Sequence, residues 1–150
     1  MMRPTQDGLV AKKVGEVPLR LYAHRRYLDR FGTPDSVDAL IKQHLIGFDR
    51  DDFSARSVVA GTLPISRDLF SFRCDNDVAQ LAAIEAGLGI GVMQTTLAKC
   101  NPDLVAVMAE QVKFKLDLWL AVHEDQSEQP AIWVVFYGLI TGLAANTLEV

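Results

Sequence analysis

The 150-residue chain reads as an α/β protein on three observations. Short apolar runs alternate along its length with segments of helical period, as layered α/β architectures require. One stretch, Asp75 to Gln94, carries a capped helix, a glycine stop and an immediate strand in sequence. About half the residues (49%) are apolar and 23% are charged, an ordinary globular balance with enough apolar material for a core.

Taken in order, residues 1–16 read as a connecting segment containing Pro4, Asp7, Gly8 and Gly15. Val17 to Ala23 (VPLRLYA) reads as a strand. Arg25 to Phe31 follows as a short helix stopped by Gly32 and Pro34. Ser36 is suited to cap a helix over Val37 to Gln43, and His44 to Phe48 reads as a strand. Asp49 to Asp52 is an acidic turn, Phe53 to Ala60 has helical character closed by Gly61 and Pro64, and Leu69 to Cys74 is a further strand. Asp75 and Asn76 cap a helix from Asp77 to Ala86 that places Val78, Leu81, Ala82 and Ala86 or Glu85 near one face. Gly87 ends it as a left-handed residue. Leu88 to Met93 is then a strand whose Gly89 and Gly91 leave one face bare for close approach by another element or a ligand. Leu97 to Lys99 is a short turn or helix before Pro102. Phe114 to Val122 alternates as a long strand, and Glu124 to Gln129 is a polar loop. Pro130 opens a last helix, Ala131 to Ala145, with Ile132, Val135, Phe136, Leu139, Ile140 and Leu143 as an apolar stripe.

Charge and special residues exclude several functions. Fifteen basic and nineteen acidic residues leave a net charge of −4. The first 48 residues carry +3 and the remainder −7, and neither part has the dense basic stripe that binding a phosphate backbone requires. No apolar stretch reaches the ~20 residues of a membrane span, and no basic-then-apolar export signal opens the chain, so a cytoplasmic location is expected. Cys74 and Cys100 form no CxxC pair and no disulfide framework. His24, His44 and His123 lack metal-ligand spacing, and Asp49, Asp51 and Asp52 lack that of a calcium loop. No metal and no cofactor is expected. A thiol and base pair of Cys74 and His24 has no supporting motif, and no residues supply paired acid–base chemistry, so the chain is not expected to be an enzyme.

Gly87 to Gly91 superficially suggests a phosphate loop, but a dinucleotide fingerprint runs strand, glycines, helix, and here the glycines follow the helix. Two readings of Asn76 and Asp77 stand side by side. One is a helix cap with a favourable charge–dipole contact; the other is an anion site on free backbone amides, which Asp77 would oppose. If the strands run parallel, Ala23-His24, Phe48-Asp49, Cys74-Asp75-Asn76 and Met93-Gln94 share one rim, and such rims bind small molecules.

The succession DGLVAKKVGEVPLRLYAHRRYL, HLIGFD and FRCDNDVAQLAAIEAGLGIGVMQ, followed by a return strand and an amphipathic helix, resembles the effector-binding domain of LysR-type transcriptional regulators over nearly all of the chain. The resemblance implies a type 2 periplasmic-binding-protein-like fold of two lobes joined by crossing strands. Residues 1–16 would be a crossing segment, 17–113 the second lobe, and 114–150 a return strand and helix belonging to the first. The helix-turn-helix and the first half of lobe one have no counterpart here, so DNA would be reached only through a part of a parent protein that this chain lacks. The resemblance also implies a small, anionic effector held between lobes. Carried to matching positions, effector contacts would come from Arg3 and Thr5 in the crossing and from Cys74, Asp75 and Asn76 at the helix start. His24 and Phe48 join them on the rim argument alone. Arg3 would pair with a carboxylate in two-pronged fashion or be a solvated tail residue. The last strand and helix would expose apolar faces unless a second chain covers them, so a homo-oligomer is expected. The alternative is a free-standing small-molecule-binding or oligomerisation module.

Overall fold

The computed structural model describes residues 7–50, 66–126 and 128–144. Among the described residues six strands and five helices follow in the order β1 (Leu9–His24), α1 (Arg25–Phe31), α2 (Val37–Leu40), β2 (Leu45–Gly47), β3 (Phe70–Arg73), α3 (Asp77–Glu85), β4 (Ile90–Gln94), α4 (Thr95–Ala98), β5 (Leu104–Val107), β6 (Phe114–His123) and α5 (Pro130–Ala144). Single turns of 3-10 helix precede β3 and follow β6. The expected helix over Phe53 to Ala60 lies outside the described residues.

The chain divides into two compact units, Leu19–Phe114 and Met1–Pro18 with Lys115–Val150. In the first, the strand order is β3-β2-β4-β1-β5. β2 runs parallel to both β3 and β4, whereas β1 runs antiparallel to β4 and to β5. A sheet with all strands in a common direction is therefore incorrect. The local pattern of a strand reports which residues are buried; its direction is set by the ladder it joins. The antiparallel direction of β1 takes His24 to the other rim. It pairs with Leu104 at the start of β5, and its neighbour Ala23 pairs with Ile90 at the start of β4. Phe48 and Cys74 lie beyond the opposite ends of β2 and β3.

β1, with 16 residues, is more than twice as long as the expected strand from Val17 to Ala23. Its first half pairs with β6, and that distant partner is invisible in the Lys12-Lys13 and Gly15 sequence. Lys13 Nζ lies 2.8 Å from Asp117 and 3.2 Å from Glu16, and Lys115 lies 2.9 Å from Glu16, so ion pairs bridge the two strands. β5 is a strand the sequence reading missed: four residues, LVAV, given their ladder by β1.

Local punctuation places the helices. Gly32 closes α1 at φ 82°, its N–H donating to the Leu28 carbonyl at 2.8 Å. Ser36 caps α2, its hydroxyl accepting from Ala39 N–H at 3.3 Å. That helix ends at Leu40 rather than Gln43 because Gln43 and His44 are recruited by Tyr27. The buried Tyr27 hydroxyl donates to Gln43 Oε1 at 2.7 Å and accepts from His44 N–H at 2.9 Å. Asn76 caps α3. Gly87, at φ 72°, ends it with Leu88 N–H bonded back to Ala83 O at 3.0 Å, the left-handed stop that glycine adopts without strain.

The core of this unit gathers Tyr22, Ile46, Ala83, Ile84, Met93, Ala98 and Leu104. The α3 face named from the sequence is corrected here. Gln80, Ala83 and Ile84 are buried, while Val78 is 74% exposed. Apolar residues sit all round α3, so its periodicity selects no unique face. The choice is made by β4, where Gly91 leaves room for Ile84: a Cβ at Gly91 would stand 2.7 Å from Ile84 Cδ1. At Gly89 a Cβ would meet the His44 carbonyl oxygen, which accepts from Ile90 N–H.

In the other unit, Phe136 of α5 and Val122 of β6 are buried. The expected α5 stripe is only half covered. Ile132, Ile140 and Leu143 are half-buried, but Val135 and Leu139 are exposed, as are Val134 and Tyr137.

Candidate functional site: the carboxyl rim of β2 and β3

The parallel strands β3, β2 and β4 end on one rim of the Leu19–Phe114 unit, where α3 also begins. Four of the sequence-derived site residues meet there: Phe48 after β2, and Cys74, Asp75 and Asn76 between β3 and α3. His24 does not. It is buried at the opposite ends of the strands, where its Nδ1 accepts from Arg26 N–H at 3.1 Å and caps α1. The rim argument for His24, and with it any Cys74–His24 pairing, fails because β1 is antiparallel. Arg3 and Thr5 lie outside the described residues.

Much of the polarity at the α3 start serves the fold. Cys74 N–H donates to Gly47 O at 3.0 Å, extending the β2–β3 ladder. Cys74 O accepts from the buried Gln80 side chain at 2.6 Å. Asn76 Oδ1 accepts from Ala79 N–H at 3.0 Å and Asn76 O from Gln80 N–H. Of the two readings of Asn76, the cap is the one its side chain satisfies.

Asp75 looks the other way, toward the residues after β2. Its Oδ1 accepts from the backbone N–H groups of Asp49 at 3.0 Å and Arg50 at 2.9 Å, and its Oδ2 lies 3.4 Å from Arg50 Nε. Asp49 in turn meets two guanidinium groups, Arg67 Nη2 at 2.8 Å and Arg73 Nε at 3.7 Å. The Arg67 hydrogen bond is the main reason that the Asp49 carboxyl is held below its ordinary range; the charges of Arg67, Arg73 and Arg50 add to it. On the same rim, just past β4, the buried Thr95 hydroxyl has no hydrogen-bond partner among the described residues. A buried polar atom of this kind is a group that a ligand or water satisfies.

The sequence reading did not anticipate Arg50, Arg67 and Arg73. They lie apart in the chain, and only the parallel pairing of β2 with β3 collects them. The one signal was that Arg73 and Arg67 bracket an apolar strand while Arg50 follows another. Asp49 belongs to an arginine network rather than to an isolated acidic turn. Among the described residues no group of three or more histidine, cysteine, aspartate or glutamate side chains is arranged to hold a metal ion, and no helix is long and apolar enough to cross a membrane.

Known proteins resemble this chain over most of its length. Among solved structures the chain is similar to the regulatory domain of CrgA from Neisseria meningitidis, at 20% identity and a TM-score of 0.77, covering 95% of this chain and 72% of that one. It is also similar to full-length CrgA, at 21% identity and a TM-score of 0.74, and to full-length AphB from Vibrio cholerae, at 21% and 0.68. It spans about half the length of those two, 49% in each case. These likenesses establish the mixed α/β, periplasmic-binding-protein-like fold. No curated protein matches the chain. The family model described as "LysR substrate binding domain" matches residues 1–137, and the chain therefore belongs to the LysR substrate-binding domain family.

Proposed function

We propose that the chain is the effector-sensing portion of a LysR-family transcriptional regulator and that a small anionic metabolite docks on the rim where β2 and β3 end. The observation that carries this reading is the convergence of the Arg50, Arg67 and Arg73 side chains on Asp49 and Asp75 at that rim. Guanidinium groups recognise carboxylates by paired, charge-assisted hydrogen bonds. Phe48 and Cys74 supply partly buried, less polar wall, the mixture typical of small-molecule sites. Arg3 and Thr5 belong to the same proposal as contacts contributed by the first residues of the chain. Residues 17–113 are proposed as the second lobe of the domain, with 114–150 returning to the first. DNA would be contacted through a helix-turn-helix carried elsewhere in the parent protein, and ligand binding would act by shifting the balance between conformations of the sensing domain.

A thermal-shift titration with small carboxylates tests the site. A ligand that binds only the folded chain stabilises it by about 2.7 kcal/mol at one hundred times its Kd. Stabilisation is expected in the native chain and its loss in a chain carrying Arg50→Gln and Arg73→Gln. No carboxylate stabilising the chain beyond chloride at matched ionic strength would contradict the proposal.

The oligomerisation alternative has one specific observation behind it. None of the fifteen residues of α5 is charged, and Val134 and Tyr137 are 74% and 57% exposed. Self-association through this helix is part of the proposal. Sedimentation of the chain as a monomer at high concentration would count against it.

A further inference from the structure

The proposed anion rim already holds an anion of its own. Asp75 presents one carboxylate oxygen to two successive backbone N–H groups, those of Asp49 and Arg50, and the other to the Arg50 guanidinium. Converging amides with a guanidinium at their side form a donor set suited to a carboxylate. Asp75 also differs from its neighbours. The polar groups of Cys74 and Asn76 bond within the sheet and α3. Those of Asp75 reach across 25 and 26 residues of sequence to exposed backbone, and its side chain retains 35% exposure. It is therefore accessible to exchange.

We propose that Asp75 is a built-in competitor: its carboxylate fills the cradle formed by Asp49 N–H, Arg50 N–H and the Arg50 guanidinium, and an effector carboxylate enters by displacing it. The inference rests on the rim reading given above and adds its regulation. Two carboxylates on the same donors would repel one another, so occupancy by one excludes the other. The exchange has a structural consequence. Asp75 ties the residues after β2 to the start of α3, and a bound effector would cut that tie. Ligand occupancy is thereby converted into release of Asp49 and Arg50 from Asp75. If the cradle is open in about one molecule in ten, the internal carboxylate weakens apparent affinity about ten-fold.

Acetate is the probe, titrated against chloride at constant ionic strength and followed through the backbone amide resonances of Asp49 and Arg50. The samples are the native 150-residue chain, Asp75→Ala and Asp75→Asn. In Asp75→Ala, acetate is expected to shift both amides with an apparent Kd at least about ten-fold below that of the native chain and to recover melting temperature lost on substitution. Asp75→Asn, which keeps the side-chain oxygen but not its charge, is expected to fall between. It also preserves the test should the alanine variant unfold. Equal acetate affinity in the native chain and both variants would overturn the competitor while leaving the anion rim intact. Failure of acetate to shift these amides in any folded variant would overturn the rim reading and the competitor with it.

Discussion

The fit of Ile84 against Gly91 makes the β4–α3 contact a quantitative test of how this unit packs. Ile84 is 0% exposed and belongs to the central cluster. A methyl group added at Gly91 would lie 2.7 Å from Ile84 Cδ1, 3.0 Å from its Cγ1 and 3.3 Å from Ile46 Cβ. Ile84→Val removes Cδ1 and is expected to cost about 1 kcal/mol, the usual result of deleting one buried methyl. Gly91→Ala overpacks the same space at a cost of about 1–3 kcal/mol, reduced by roughly 0.5–1 kcal/mol because alanine orders more cheaply than glycine within a strand. Together the two changes put the new methyl where the old one was. The remaining contacts at 3.0 and 3.3 Å need only a few tenths of an ångström of give. The double variant should therefore be more stable than the sum of the single effects by about 1 kcal/mol. Urea denaturation of the four proteins, with a common slope, measures the cycle. Additivity within about 0.3 kcal/mol would refute the claim that Ile84 and Gly91 share one space.

Three further outcomes follow from the same geometry. Asn76→Ala removes the side-chain acceptor of Ala79 N–H and should lower stability by about 1 kcal/mol in the same denaturation assay; no change would mean that the α3 cap is idle. His24→Ala removes the α1 cap and should also destabilise by about 1 kcal/mol while leaving carboxylate binding unchanged, since His24 lies at the far ends of the strands; a changed Kd for acetate would contradict that placement. The Asp49 carboxyl, depressed chiefly by its hydrogen bond to Arg67, favours the folded chain above the carboxyl's unfolded pKa, and that contribution is lost as pH falls through the folded value. In an NMR titration Arg67→Gln should raise the Asp49 midpoint toward that of an ordinary aspartate, and an unmoved midpoint would show that Arg67 is not the cause.

Much of the architecture was legible in the residues themselves. Gly32 and Gly87, where backbone φ is positive, mark helix ends that any chain must solve locally. Asn76 and Ser36 announce helix starts because a short polar side chain must receive an otherwise unbonded amide. The run from Asp75 to Gln94 also carried the family likeness, through a helix stop followed at once by a strand with a bare face. Half of β1, all of β5 and the packed face of α3 were not legible, because each depends on a partner distant in sequence. Gly15 belongs to a strand because β6 comes alongside the first half of β1, and Ile84 faces inward because Gly91 opposes it.

The candidate site divides along the same line. By itself the sequence determined that Phe48, Cys74, Asp75 and Asn76 stand at strand ends and a helix start, since turn and cap chemistry acts over three or four residues. Only the tertiary structure decided that His24 leaves that group and that Arg50, Arg67 and Arg73 join it. Strand direction is settled by hydrogen bonding between segments, and a strand reversed in its sheet carries its last residue to the other rim while its pattern of apolar residues stays the same.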